Sequence, residues 1–371
     1  MKWQPLEQPL RAGLRNTSVS VNTVPVLPGI ELLSSLKILV ENVRAGEVLQ
    51  IMSPVIDHSQ VVSWLRAARQ RGVVVRILTT LVDRHGIHTK GWDASENIEK
   101  HDESIRELAK CGCILRSTRT TPHGKFVLGG GGKLWFGSAN LTIGALGGRS
   151  VEAGFVLDDD GMSSQVRSIF DHYWKLAPFR MIHRQGAILI EEKRCHSTVL
   201  PDEELSEHEV KVWSSAPGVS AATYGINRLL DSATDEILLV AMSLYQLDQV
   251  PGMQSILLSA LQRGVRVRAV VRKEHFTDEE MKGQYPDPAT RNLLKSGMEL
   301  LGVKGLHAKG FLVDDRWCGI QSANFNPYSF DWRRSECNVE LILVGVSSNP
   351  LLSSYAGMLR HLCSTATHRM G

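Results

Sequence analysis

At 371 residues, with 43% hydrophobic and 22% charged side chains, the chain has an ordinary globular composition and exceeds what one core organises. That excludes a disordered, collagen-like or disulfide-framework protein and points to two domains. Forty-two basic against 39 acidic residues leave a formal net charge of +3, too small to argue for a nucleic-acid partner by itself. The six cysteines show no zinc-like pairing, and no apolar run approaches the ~20 residues of a bilayer span. Pro5, Glu7 and Pro9 stand where a secretory signal would place its apolar segment, so a reduced, cytoplasmic protein is expected.

In chain order, residues 24–40 read as an approach segment and a first helix. An apolar strand follows at 47–56, then an amphipathic stretch with Val61, Trp64, Leu65 and Ala68 at helical spacing. Gly72 then stands where a C-cap belongs, ahead of the β-branched run Val73-Val74-Val75. A second helix is predicted over 96–110 and a short strand over 113–116. The pattern then repeats. Residues 69–76 echo 261–268 at an offset of 192, preceded by a strand at 236–244 and a helical stretch through Met253, Ile256, Leu257 and Ala260. A helix at 288–295, a strand at 298–303 and a closing helix at 350–362 complete the second copy. This alternation predicts an α/β fold: two similar α/β/α layered domains, each with a mixed, largely parallel sheet flanked by helices, packed as a pseudo-dimer. The expected boundaries are 1–178, a linker at 179–208 that includes the acidic run Asp202-Glu203-Glu204, and 209–371.

Each copy carries the same polar set. The first has His123, Lys125, Ser138 and Asn140, with Glu152 beyond; the second has His307, Lys309, Asp314, Ser322 and Asn324, with Glu340 beyond. From histidine to serine is 15 residues in both copies, and the offset is 184 for His, Lys, Ser and Asn alike. His and Lys two apart on a strand face the same way. Gly129 to Gly132, like Asp314-Asp315-Arg316, reads as a hairpin turn that brings Ser138 and Asn140, or Ser322 and Asn324, back beside the histidine. An imidazole, an ammonium, a hydroxyl and an amide then converge, a set able to bind the oxygens of a phosphodiester without a metal. Glu152 and Glu340 lie 29 and 33 residues after their histidines, placed to accept the Nδ1 proton of each and fix its tautomer.

These motifs resemble the phospholipase D superfamily, whose mark is His-x-Lys, four residues, Asp, six residues, Gly-Ser-x-Asn, twice per site. The resemblance implies one active site shared by the two halves. One histidine attacks phosphorus to give a phosphohistidine, and the other protonates the leaving oxygen and then activates water or an alcohol. No metal or cofactor is implied. Two positions depart from the mark: Gly130 stands for Asp in the first copy and Gln321 for Gly in the second. The missing aspartate is expected to be structural, since glycine serves a tight turn well.

Several other features carry plainer readings. The glycine run lacks the spacing of a phosphate loop. His85, His88 and His101 read as surface loop histidines, and Trp64, Trp174 and Trp213 as core or interface residues. Arg116, Arg119, Arg333 and Arg334 flank the motifs and are candidates to line an anionic groove. Ser138-Ala139-Asn140-Leu141-Thr142 is similar to nuclease-type members, which makes nucleic acid the expected partner of a metal-independent phosphodiesterase that is a monomer with an internal pseudo-dimer. A phospholipid partner is the alternative, because 324–329 partly matches the Asn-x-Asp-x-Arg-Ser run of cardiolipin synthase-like enzymes, broken by Asn326 and Tyr328. A catalytically inactive nucleic-acid-binding module is the third reading.

Overall fold

The computed structural model describes residues 3–6, 26–83, 86–87, 98–193, 205, 209–274 and 286–370; His85 and His88 lie outside them. The chain divides into two compact units. The first comprises Leu27–Asp202 with Ser335–Leu341, and the second Met1–Val26, Glu203–Arg334 and Ile342–Gly371. Both differ from the expected 1–178 and 209–371. Trp3–Pro5 pairs antiparallel with His368–Met370, so the chain start is tied to the second unit. The expected linker at 179–208 opens with a hairpin, Phe179–Arg184 and Ala187–Glu192, which extends the first unit's sheet.

That sheet has eight strands. Their order is Ala187–Glu192, Phe179–Arg184, Ile114–Ser117, Val74–Leu78, Val48–Met52, Phe126–Leu128, Lys133–Gly137 and Gly154–Asp158. Only the trio Val48–Met52, Val74–Leu78 and Ile114–Ser117 pairs in parallel. The remaining pairings are antiparallel. The sheet is therefore mixed, with fewer parallel pairs than the helix–strand alternation suggests, because short hairpins join Phe126–Leu128 to Lys133–Gly137 and Phe179–Arg184 to Ala187–Glu192. The second unit repeats the plan: Glu236–Val240, Arg266–Arg272 and Glu299–Val303 are parallel, and Gly310–Val313 and Trp317–Gln321 return antiparallel.

Helix Ser59–Gln70 buries Val61, Val62, Leu65 and Ala68, one stripe of a 3.6-residue period. It stops because Gly72 adopts φ +91°, a left-handed conformation that suits glycine. Its counterpart Met253–Gln262 buries Met253, Leu257 and Ala260 and stops before Gly264 at φ +85°. Leu65 is 1% exposed, so Leu65→Ala would cost about 2–5 kcal/mol through reduced transfer energy and a cavity. Among the described residues, no helix is long and apolar enough to cross a membrane.

The two departures at Gly130 and Gln321 have local explanations. Asp314 does not lie beside His307. It sits at the far end of strand Gly310–Val313, and its carboxylate accepts the N–H groups of Thr234, Asp235 and Glu236 at 2.7–2.8 Å. It thereby ties the turn to the start of the central strand. In the first unit a Cβ at Gly130 would collide with the Glu47 carboxylate, which already accepts the Arg44 N–H at 2.7 Å. The carboxylate at the strand start comes from the turn in one unit and from the strand's own flank in the other. Gly137 lies opposite Gly154, and a Cβ there would meet Ala153 O at 2.7 Å. The equivalent Gln321 lies opposite Ile342, where a side chain fits, and its Nε2 donates to Ala323 O at 3.0 Å.

Candidate active site

In the first unit, His123 enters just ahead of strand Phe126–Leu128. Its N–H and that of Gly124 donate to Val339 O at 2.8 and 2.9 Å, which lays residues 335–341 alongside 121–124. The residue between histidine and lysine is glycine here and Ala308 in the second copy. A Cβ at Gly124 would lie 2.5 Å from Leu341 Cδ1 and 2.6 Å from Met52 Sδ.

This contact seats Glu340 against His123. Nδ1 of His123 stands 2.9 Å from Glu340 Oε2, with the histidine side chain 17% exposed and the carboxylate fully buried. Sequence spacing pairs Glu340 with His307; the structure brings it to the other histidine. The second oxygen, Oε1, accepts Asn338 Nδ2 at 3.4 Å. A carboxylate on Nδ1 makes that nitrogen the protonated one and leaves the ring's lone pair on Nε2.

Glu152 is 4% exposed; the spacing pairs it with His123, whose Nδ1 instead meets Glu340, and serine hydroxyls donate to it. Its Oε2 accepts the Ser138 hydroxyl at 2.5 Å, and its Oε1 accepts the Ser150 hydroxyl at 2.9 Å. In both copies the residue two positions before the glutamate donates to the same carboxylate oxygen. Ser138 Oγ in turn accepts the Ala153 N–H at 3.0 Å, which fixes the serine on the end of strand Lys133–Gly137.

Lys125 and Lys309 are both 0% exposed, and each ammonium donates to the carbonyl of its own histidine, at 2.6 and 2.7 Å. A buried cation is thus held close in sequence to each imidazole, where low dielectric strengthens its attraction for an anion. Tyr355 Oη donates to Lys309 O at 2.8 Å and steadies the second copy from below.

Asn140, Ser322 and Asn324 are buried. Asn324 Oδ1 accepts the Ser243 N–H at 3.3 Å, and Ser329 Oγ accepts the Asn324 N–H at 3.2 Å. In the first unit Ser53 stands at the equivalent strand end, and there its hydroxyl accepts the Leu141 N–H at 3.3 Å. Sequence reasoning missed Ser53 and Ser243. The signal was the dipeptide Met-Ser at 52–53 and again at 242–243, at the ends of equivalent strands.

Each of the four flanking arginines has a partner within the protein. Arg116 donates to Trp174 O at 2.7 Å and lies 4.8 Å over the Trp174 ring. Arg119 pairs with Glu192 at 2.5 Å. Arg333 and Arg334 share Asp331 at 2.6 and 3.5 Å, and Arg334 also donates to Gln249 Oε1 at 2.8 Å. Proximity in sequence placed them near the motifs but did not reveal these partners. His101 is also relocated. It is fully buried on helix Ile98–Lys110, its Nδ1 accepting Ile56 N–H at 3.0 Å and its Nε2 donating to Thr80 O at 2.8 Å. Trp213 is in the second unit's core, as its reading implied. Among the described residues, no cluster of three or more His, Cys, Asp or Glu could hold a metal ion.

Comparison with known proteins gives a consistent family. No curated protein matches the chain in sequence. Among solved structures it is similar to the phosphatidylserine synthase of Haemophilus influenzae Rd KW20, with TM-score 0.63, 13% identity, and coverage of 94% of this chain and 87% of that one. It is also similar to a polyphosphate kinase from Porphyromonas gingivalis, with TM-score 0.56, 13% identity, and coverage of 91% and 50%. At such identities these likenesses speak for the fold alone. The family model described as "Cardiolipin synthase, PLD-like domain" matches residues 42–174 and 226–362, one match on each copy of the duplicated set. With both copies matched over most of the sequence, the chain belongs to the phospholipase D superfamily.

Proposed function

We propose that the chain is a metal-independent phosphodiesterase working through a phosphohistidine, with nucleic acid as its substrate. The observation that carries the chemistry is the 2.9 Å contact between His123 Nδ1 and the buried Glu340, which keeps Nε2 nucleophilic and stabilises the imidazolium formed later. In the first step Nε2 of one histidine forms a bond to phosphorus while the bond to the leaving oxygen breaks. That oxygen takes a proton from the other histidine. Water then gives its proton back to that histidine and attacks phosphorus, breaking the P–N bond and restoring both rings. Lys125 and Lys309 offset the phosphoryl charge, and the Ser and Asn groups orient the oxygens.

The choice of nucleic acid draws on the second copy. Where the lipid-type run has arginine, this chain has Tyr328, 38% exposed, with the Arg334 guanidinium 5.5 Å over its ring. An exposed ring braced by a cation is a surface on which bases stack. Asn326, in place of the acidic residue of that run, serves as a helix cap, accepting Ser329 N–H at 3.0 Å.

Phosphatidyl transfer is the second reading, favoured by the family model's description and by the retained Ser329. Labelled single- and double-stranded oligonucleotides, and vesicles of phosphatidylcholine or phosphatidylglycerol, should each be incubated with the purified chain in excess EDTA. Oligonucleotide cleavage that persists in chelator is expected. Strict metal dependence would overturn the mechanism, and headgroup release or cardiolipin formation without nucleic-acid cleavage would move the substrate to lipid.

A further inference from the structure

The first unit carries a second concave feature, away from the histidine. Pairing between Phe179–Arg184 and Ile114–Ser117 stops at Met181 and Leu115, and past that point the hairpin diverges from the neighbouring strand. The resulting cleft, of about 460 Å3, is lined by the end of helix Ile98–Lys110, by Cys113 and Ile114, and by both hairpin strands. It opens at the start of strand Ile114–Ser117, whereas His123 follows that strand's other end.

The charge of this cleft is lopsided. Lys110, Arg180, Arg184 and Lys193 face a single carboxylate, Glu191, with His183 also on the wall. That surplus of three cations equals the formal net charge of the entire chain, +3, gathered in one place. Among the described residues, Lys110, Arg180 and Arg184 make no ion pair. Arg180 Nε is buried without an acceptor, a donor left unsatisfied at a cost unless a ligand supplies an oxygen. Crowded like charges repel one another, so a cleft that concentrates them gains most from an anion with several separated charges.

We infer that this cleft is a second binding site for phosphate-bearing polyanions, and that its occupant is the phosphodiester backbone of a nucleic acid. A concave, cation-lined surface suits a charged strand better than a flat bilayer, which needs protruding apolar groups. The identity of the occupant rests on the nucleic-acid reading of the histidine site; the site itself does not. Bound here, a long substrate is held at both ends of the sheet, so the cleft governs affinity for length rather than the chemical step.

The test compares the wild-type chain with Arg180→Ala/Arg184→Ala, and with Arg184→Glu alone in case the double variant fails to fold. Binding of a fluorescein-labelled single-stranded 20-mer is measured by anisotropy across salt concentrations. Turnover of bis(p-nitrophenyl) phosphate, a diester too small to span both sites, is measured in parallel. The double variant is expected to bind the 20-mer about tenfold more weakly at low salt. Its slope of log affinity against log salt should be shallower by about 1.4, at about 0.7 for each of the two phosphates it no longer neutralises. Its turnover of the small diester should be unchanged. A 20-mer that binds and is cleaved with unaltered affinity and slope would overturn the second site and leave the proposed function standing. If the wild type ignores the 20-mer but binds phosphatidylglycerol vesicles through these arginines, the nucleic-acid occupant is wrong, and the substrate reading falls with it.

Discussion

Asp314 belongs to the superfamily's motif, yet its surroundings describe a fastener. The decisive variant is Asp314→Ala, set beside Asp314→Gly. The carboxylate accepts from Thr234 N, Thr234 Oγ1, Asp235 N and Glu236 N at 2.7, 3.0, 2.8 and 2.8 Å. These donors lie near the surface, so water replaces part of what alanine removes. The loss should match a strong capping residue, about 1–3 kcal/mol. For a unit of this size that lowers Tm by about 3–10 °C. Asp314 also holds φ +51°, a left-handed backbone that costs a residue with a Cβ about 1–2 kcal/mol. The glycine variant should therefore recover about half of the alanine loss. Burial opposes ionisation of the carboxylate, but the N–H groups of Glu236, Asp235 and Thr234, with the Thr234 hydroxyl, outweigh it and hold its pKa below the ordinary value. Its stabilisation is accordingly complete above about pH 4 and is lost as pH falls further, a limb that both variants should lack. Thermal denaturation and turnover at 25 °C are the assays. An unchanged Tm with turnover reduced tenfold or more would refute the structural assignment and return Asp314 to the chemistry.

Glu340→Gln should fold normally and slow turnover by about 10²–10⁴-fold, since an amide cannot balance an imidazolium; wild-type rates would detach the His123 contact from the mechanism. Asn338→Ser, which installs the other copy's residue, should keep most activity. Asn338→Leu should lose about 10–100-fold in kcat with little change in KM, because a freed carboxylate no longer fixes the ring, and equal rates in the two variants would reject that role. Burial pushes the His101 pKa down despite its contacts with Thr80 and Ile56, so its contribution is present above about pH 6.5 and fades as acid favours the protonated, unfolded form. Denaturant titrations at pH 8 and pH 5 should show a smaller loss of stability on acidification in His101→Gln than in the wild type. An identical loss would show that His101 does not titrate with unfolding.

Much of this was legible in the sequence for one reason: duplication. Two copies of His-x-Lys and Ser-x-Asn at one offset identified the family and the polar cluster, because coincidence cannot place four chemically distinct residues twice. What escaped depends on neighbours in space. Glu340 was paired with the histidine of its own repeat because spacing along a chain cannot show that residues 335–341 pack beside 121–124. The hairpin at 179–192 was read as linker since its turn, Gln185-Gly186 with φ +51° and +78°, has the two-residue left-handed geometry without the Asn-Gly or Asp-Gly signature. His101 did have a signal: it shares a helical stripe with Ile105 and Leu108, and a polar residue on a buried stripe predicts a satisfied core histidine rather than a loop.

The kinship of Glu340 with the first unit also bears on how the protein is made. His123 and its carboxylate are separated by 217 positions. At about 5–20 residues per second, a ribosome needs about 10–40 s to travel between them. From the moment Glu192 is made, the nascent first unit has every strand of its sheet and its histidine but neither the backbone carbonyl of Val339 nor the acid that sets the ring's tautomer. The chain is born with its first imidazole unbraced. That brace arrives only once residues 335–341 have been synthesised, so translation order itself delays assembly of the first unit's site until the second unit's strands are largely made.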